Sequence, residues 1–382
     1  MRFRFLGLSN FSRRMVGFAL FATLPLMLGA CGSDSGSGGV APPPPVVAKG
    51  RLLVANSAGP DVLMFGVNSS GNVRPAAILN SASFNQPEGV IVADDGNIYV
   101  GDEGATSVFS FPYFNSGTED LSPTLTIPNQ KSGAIALDAA GNYYVVEEGP
   151  SEYSGGQVVE FAPGATTPTC TISFTGFVNP EGIAIDPNTQ NVWVSDLGLQ
   201  TSPPAVPGTP PNPYMPIIWE FPATSGGCAG SQTPIAWLNG PTTTMAYPYA
   251  IAFDPSGNLW AADAGSYAYV TAPDQVLEFS ANSLAATGLI DVAPANTIAG
   301  AKTKLNGPEG ITIGPANVVI VANDGAGSAD SSLTVYSSAA TGNAAPIRTV
   351  AGSNTGLNEP EQVFWYVPPS SPPPAGTASK NK

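Results

Sequence analysis

Four glutamates of this chain stand in one recurring setting: Glu88 in Pro87-Glu88-Gly89, Glu181 in Pro180-Glu181-Gly182, Glu309 in Pro308-Glu309-Gly310 and Glu361 in Pro360-Glu361-Gln362. Each precedes an apolar run, as in Val90-Ile91-Val92 or Ile311-Thr312-Ile313. Two weaker copies place Ser132 and Tyr249 where the others carry Glu. Converging carboxylates repel one another, so either their pKa values rise or a cation shares them. Ligand sets made only of oxygen suit Ca²⁺ or Mg²⁺. The plain alternative is that these side chains are solvated or accept backbone N–H bonds between repeats. His is absent from the chain, which removes His general bases, Ser-His-Asp and Cys-His systems and His-bound zinc. No G-x-S-x-G motif, phosphate-binding loop or dinucleotide fingerprint is present.

An internal repeat positions these residues. After the Pro-x-Gly run comes a turn such as Asp95-Gly96-Asn97, Ala140-Gly141-Asn142 or Ser256-Gly257-Asn258, then a second apolar run. A third run has the form Val-x-x-Phe, as in Val108 to Phe111, and a short fourth follows, as in Thr124 to Ile127. Four short strands per repeat at a pitch of roughly 45–65 residues predict an all-β fold, a six-bladed β-propeller of four-stranded blades. The ends complete each other. Residues 51–79 read as second, third and fourth strands without a first, and the last copy, from Pro360, stops after its first. Pairing the N-terminal strands with the C-terminal strand closes the ring and leaves no free edge at the junction. That shared blade is counted as blade one, and blades two to six follow from Gly89, Gly133, Gly182, Ala250 and Gly310.

First strands line the central channel of such a ring, so the residue between Pro and Gly points toward the channel mouth. Residues ending the second strands recur once per blade: Asn56, Asp102, Glu147, Asp196, Asp263 and Asn323. That recurrence predicts turn caps, with Asp196 and Asp263 open as further ligands. Blade four carries a Pro-rich insertion, Leu197 to Pro216, and blade five has Ser266-Tyr267-Ala268-Tyr269 in the corresponding loop. Tyr214, Tyr249, Tyr267 and Tyr269, with Tyr247, could form an aromatic wall beside the carboxylates, suited to a sugar or peptide. They could equally pack the loops down.

Over roughly residues 51–367, Pro-x-Gly-Ile-x-(Ile/Val)-Asp, Gly-Asn-(Leu/Ile)-(Tyr/Trp)-Val-x-Asp and Val-x-x-Phe resemble the NHL-repeat and SMP-30/gluconolactonase-like six-bladed propellers. The resemblance implies that fold. For lactonase-like members it implies metal ligands at channel-mouth positions: a Glu, an Asn and an Asp. Glu88, Glu181 and Glu309 match the positions here, but no Asn or Asp does. Such folds host lactonases, lyases, scaffolds and binding modules alike.

The first 30 residues have the layout of a secretory signal, with Arg2, Arg4, Arg13 and Arg14 ahead of a short apolar stretch, Met15 to Leu28. Leu28-Gly29-Ala30-Cys31 resembles the lipobox of bacterial lipoproteins, which implies a lipid on Cys31. Residues 31–48 are rich in Gly, Ser and Pro and are expected to tether the propeller, residues 49–367; residues 368–382 are expected to be a disordered tail. Four of the 13 basic residues precede Cys31 and no acidic residue does, leaving 9 basic against 28 acidic groups, a net charge of −19. That charge disfavours nucleic acid and anionic membrane surfaces and favours cations or neutral ligands. Cys170 and Cys228 fall in neighbouring repeats, and in an exported protein they could pair. The expectation is a monomeric, lipid-anchored protein of the bacterial cell envelope. The anchor is its sole membrane contact, and Gly32 after Cys31 points to the outer membrane, on its periplasmic or outer surface. There it binds an envelope protein, peptide or glycan at an acidic channel mouth. The second reading is a divalent-metal-dependent hydrolase of the lactonase type.

Overall fold

The computed structural model describes residues 50–149, 155–198, 216–224, 228, 232–267, 270–325 and 327–368. The expected signal peptide, Cys31, the tether, the tail beyond Pro368, most of the blade-four insertion with Tyr214, and Tyr269 lie outside these residues.

Six antiparallel blades form a ring. Blade two shows the plan: Pro87–Val92, Asn97–Asp102, Ser107–Pro112 and Leu125–Pro128, from the axis outward. The turns between first and second strands follow from their residues. Gly96, Gly141 and Gly257 adopt φ of 79, 84 and 82°, a region costly for any residue with a Cβ. The aspartates before them accept the following amides, as Asp254 does from Ser256 (2.8 Å) and Asn258 (3.0 Å). Blade one joins the chain ends: Pro360–Tyr366 pairs with Arg51–Asn56, Arg51 facing Tyr366 and Leu53 facing Phe364.

The core is a set of apolar layers between blades, because strand side chains alternate between the two faces of each sheet. In the second strand of blade two, Ile98 and Val100 pack toward blade one while Tyr99 packs toward blade three. Each of the six seams holds such a layer. The glycine of Pro-x-Gly lets first strands converge at the axis. A Cβ on Gly310 would lie 2.1 Å from the Glu361 carbonyl oxygen, and one on Gly89 2.5 Å from that of Gly133.

Two features depart from four strands per blade. Gly117–Asp120 adds in parallel to the outer strand of blade one, and Gly288–Ile290 to that of blade four. A four-residue helix, Ala281–Leu284, is capped by Ser280, whose side chain accepts the Ser283 amide.

Candidate functional site

The residue between Pro and Gly reaches the channel mouth through a backbone irregularity. In all six blades the pairing of first to second strand slips there, as between Pro87 and Gly89, Pro248 and Ala250, and Pro308 and Gly310. A bulged residue is released from the pleat and its side chain is re-aimed. As a result Glu88, Glu181, Glu309 and Glu361 line one central cavity, with Tyr249 beside them. Glu88, Glu181 and Glu361 are buried and Glu309 is half-buried. Gln86 Nε2 donates to Glu88 Oε1 (2.8 Å), and the Ser57 hydroxyl donates to Glu361 Oε1 (3.2 Å).

The residues ending the second strands hold backbone. Asp102 accepts the amides of Asn85, Gln86 and Ala105 at 2.8, 2.9 and 2.8 Å. Asp196 accepts those of Val178, Asn179 and Gly198 at 2.8, 2.9 and 3.0 Å. Asp263 accepts from the amides of Ala246 and Tyr247 and from Gln275 Nε2. Asn56 and Asn323 accept the Asn358 and Asn306 amides at 2.7 and 3.2 Å. Each ties the end of a second strand to the loop that enters its own blade. Burial outweighs the donors and raises the carboxyl pKa of Asp102 and Asp196, and that of Asp263 to about 6. Both oxygens of Asp196 and Asp263 are engaged, so these two residues act as caps. Glu147 departs from the pattern, its carboxylate meeting Gln157.

The structure adds residues that sequence reasoning missed. Glu103 and Glu148 directly follow the strand-ending residues of blades two and three, and both are buried. Carboxylate oxygens of Glu88, Glu103 and Glu148 lie within 4.8 Å of one another. Lys131, from the loop entering blade three, places its ammonium 3.2 Å from Glu103 and 2.7 Å from Glu148. Gln86 Nε2 donates to Glu103 as well (2.9 Å). Burial by itself would lower the Lys131 pKa, but the hydrogen bond and charge of Glu148, with Glu103, raise it above its ordinary value. The role a cation would take at Glu103 and Glu148 is thus filled by a side chain. One signal was available: the position after the strand-ending residue is Ser57, Glu103 and Glu148 in three successive blades, and all three reach the mouth carboxylates. Lys131 was not foreseeable, since no other repeat has a base there.

The expected aromatic wall is placed in part. Tyr249 lines the cavity and its ring lies 5.5 Å from that of Tyr247. Tyr267 lies on a small hairpin, Ser266–Tyr267 paired with Val270–Thr271, in the blade-five loop. Cys170 and Cys228 are joined in a disulfide, their Cα atoms 5.1 Å apart.

An oxygen-only set suits a hard cation, and among the described residues the carboxylates close enough to share one are Glu88, Glu103 and Glu148, beside which the Lys131 ammonium already lies. The Glu-Asn-Asp pattern of lactonase-like propellers is not reproduced, since Gly133 and Tyr249 take the remaining positions; Ser132, expected where the others carry Glu, stands instead where they carry Pro, facing Glu147 as Pro87 faces Asp102.

No family model matches the chain, and no curated protein matches it. Solved structures do. A chain of a nidogen/laminin complex is 16% identical with a TM-score of 0.52, over 83% of this chain and 98% of that one. A protein of unknown function from Bacteroides caccae is 9% identical with a TM-score of 0.55, over 83% and 98%. A periplasmic gluconolactonase of Pseudomonas aeruginosa is 12% identical with a TM-score of 0.49, over 84% and 100%. At such identities the likeness is one of fold: the chain is a six-bladed β-propeller.

Proposed function

We propose that this chain is an exported, lipid-anchored propeller of the NHL type that binds a ligand or envelope partner at its acidic channel mouth. The observation that carries the reading is the convergence of Glu88, Glu181, Glu309 and Glu361 on one cavity. The fold needs no carboxylate there, because Gly133 and Tyr249 serve in the other two blades. A net acidic chain whose mouth holds carboxylates favours cationic or neutral occupants over anionic ones. Cell-wall glycan, a peptide or another envelope protein fit that chemistry. Wild-type and Glu181→Gln/Glu309→Gln proteins used to capture partners from solubilised envelopes test the reading. Equal capture by both would overturn it.

The second reading, a divalent-metal-dependent hydrolase of the lactonase type, rests on the oxygen-only character of the same residues. Glu88, Glu181 and Glu309 would hold Ca²⁺ or Mg²⁺. Such an ion polarises a lactone carbonyl and lowers the pKa of bound water. The chain itself would supply the carboxylates and Tyr249 as one wall. A bound metal must stabilise the folded state, so an unchanged melting temperature with Ca²⁺, Mg²⁺ or Zn²⁺ sinks this reading and leaves the first standing. The anchor is tested separately: Cys31→Ser should move the protein out of the membrane fraction.

A further inference from the structure

The six seams between blades are closed at their outer rims by different means. At four of them, the loop between third and fourth strands of the following blade reaches back to the outer strand of the blade before it. A left-handed glycine leads each contact. Gly117 donates its amide to the Ala76 carbonyl (3.1 Å), Gly288 to Ile235 (2.9 Å), Gly342 to Thr297 (2.7 Å) and Gly71 to Thr349 (2.6 Å). Three of these seams carry a second tie built on Gly-x-x-Thr: Gly240 to Thr243, Gly300 to Thr303 and Gly352 to Thr355. In each, the threonine hydroxyl donates to the glycine carbonyl at 2.7, 2.7 and 2.8 Å. The amides of Thr242, Lys302 and Asn354 donate to Asp291, Asn343 and Asn72 of the reaching loop. At the seam between blades three and four the Cys170–Cys228 disulfide makes the same connection covalently.

The seam between blades two and three has no such tie. Gly164 (φ 73°) is the counterpart in the blade-three loop, but its amide donates to the Tyr99 hydroxyl (3.0 Å). Among the described residues the outer strand Leu125–Pro128 has no backbone partner beyond it. Polar side chains bind this seam instead. Lys131 joins Glu103 of blade two to Glu148 of blade three, and these are the only ion pairs among the described residues. At the axis stands Gln362, where three other copies have Gly and two have Ala. Its Oε1 accepts the amides of Val90 and Ile135, both at 3.0 Å, and its Nε2 donates to the Ile135 carbonyl at 2.7 Å. Between these contacts lies an apolar layer with Tyr99 and Tyr143.

We infer that the seam between blades two and three is the joint at which this ring opens, with Lys131 and Gln362 as the clasps that hold it shut. Local openings take the least stable boundary. Side-chain clasps exchange with water one contact at a time, whereas a backbone latch must break a sheet and a disulfide cannot open without reduction. Opening here parts Glu88 and Glu103 from Ser132 and Glu148 and so widens the mouth. A ligand cation competing with Lys131 for Glu103 and Glu148 would bias the joint. That consequence rests on the proposed acidic-mouth binding; the joint itself does not.

Hydrogen exchange of the wild-type protein, read by mass spectrometry without added ligand, tests it. Residues 124–137 should exchange about tenfold faster than the matching stretches 296–313 and 348–366 at the latched seams. Lys131→Met should accelerate 124–137 and 143–148 further and leave the other seams unchanged. Gln362→Gly should do so at Val90 and Ile135. Lys131→Met leaves two carboxylates without their cation, so Lys131→Met/Glu148→Gln is the check and must show the same local pattern. Equal protection at all seams in the wild type overturns the inference, as does uniform acceleration in either Lys131 variant. Loss of the joint with capture still sensitive to Glu181→Gln would leave the binding reading intact.

Discussion

At the seam between blades six and one, Gly71 and Asn72 lock onto Thr349, Ala351 and Asn354 through backbone groups and one amide side chain. At the seam between blades two and three, the equivalent glycine turns aside to a tyrosine hydroxyl, and a lysine and a glutamine bridge the blades. Both seams also bury an apolar layer, nearly all aliphatic in the first and built around Tyr99, Tyr143 and Phe161 in the second, so neither lacks hydrophobic packing. They differ in whether the polar ties belong to the repeat or to residues that depart from it. Departures fall on the same side of the ring as the carboxylate cluster. In a repeat protein, a position that abandons the consensus while keeping its partners is a candidate for work beyond folding.

Substitutions can break this contrast, beginning with the largest expected effect. Gly310→Ala puts a Cβ 2.1 Å from the Glu361 carbonyl oxygen. Backbone would have to move against backbone, and a loss of about 3 kcal/mol or more is expected by denaturant unfolding. Gly164→Ala, with φ of 73° and nothing within 4 Å of its Cβ, should cost only about 1–2 kcal/mol. Equal losses would show that crowding at the axis is not what demands the glycine. Next, Cys170→Ser/Cys228→Ser should cost about 2–4 kcal/mol and speed proteolysis within residues 222–235. Unchanged proteolysis would mean that the disulfide does not hold that loop against blade three. Smaller again, Asn343→Ala should cost about 1 kcal/mol, with faster exchange confined to the seam between blades five and six. A change spread over the whole ring would contradict the picture of separate latches.

The last test is of pH. Burial raises the carboxyl pKa of Asp263 and of Asp61 from 3.8 to about 6. The folded protein therefore holds protons there that the unfolded chain has released. Folded binds more protons than unfolded across this window, so stability falls as pH rises from about 4 through 6. Melting temperature should be higher at pH 5 than at pH 7.5, and Asp263→Asn should flatten that slope. A steeper slope in the variant would reverse the assignment.

Much of this architecture was legible residue by residue. Pro-x-Gly, the Asp-Gly-Asn turns and the alternating runs obey rules that act over a few residues, so they announced strands, turns and blade number. The deficit at each chain end announced the closure seen between Arg51–Asn56 and Pro360–Tyr366. The four glutamates were legible for the same reason, because the bulge that re-aims them recurs with the motif. Gly-x-x-Thr recurs just as visibly, but its meaning depends on an Asn or Asp from the next blade. What no local rule reaches is which odd residues meet. Gln362 finds Ile135 across 227 positions, and Lys131 finds Glu103 and Glu148 from two different blades. Ring closure brings those groups together, and burial then makes the pairing obligatory, because an ion or amide inside the mouth must be matched by a partner. Sequence periodicity built the ring and its carboxylates; only the closed ring decided that a lysine sits among them.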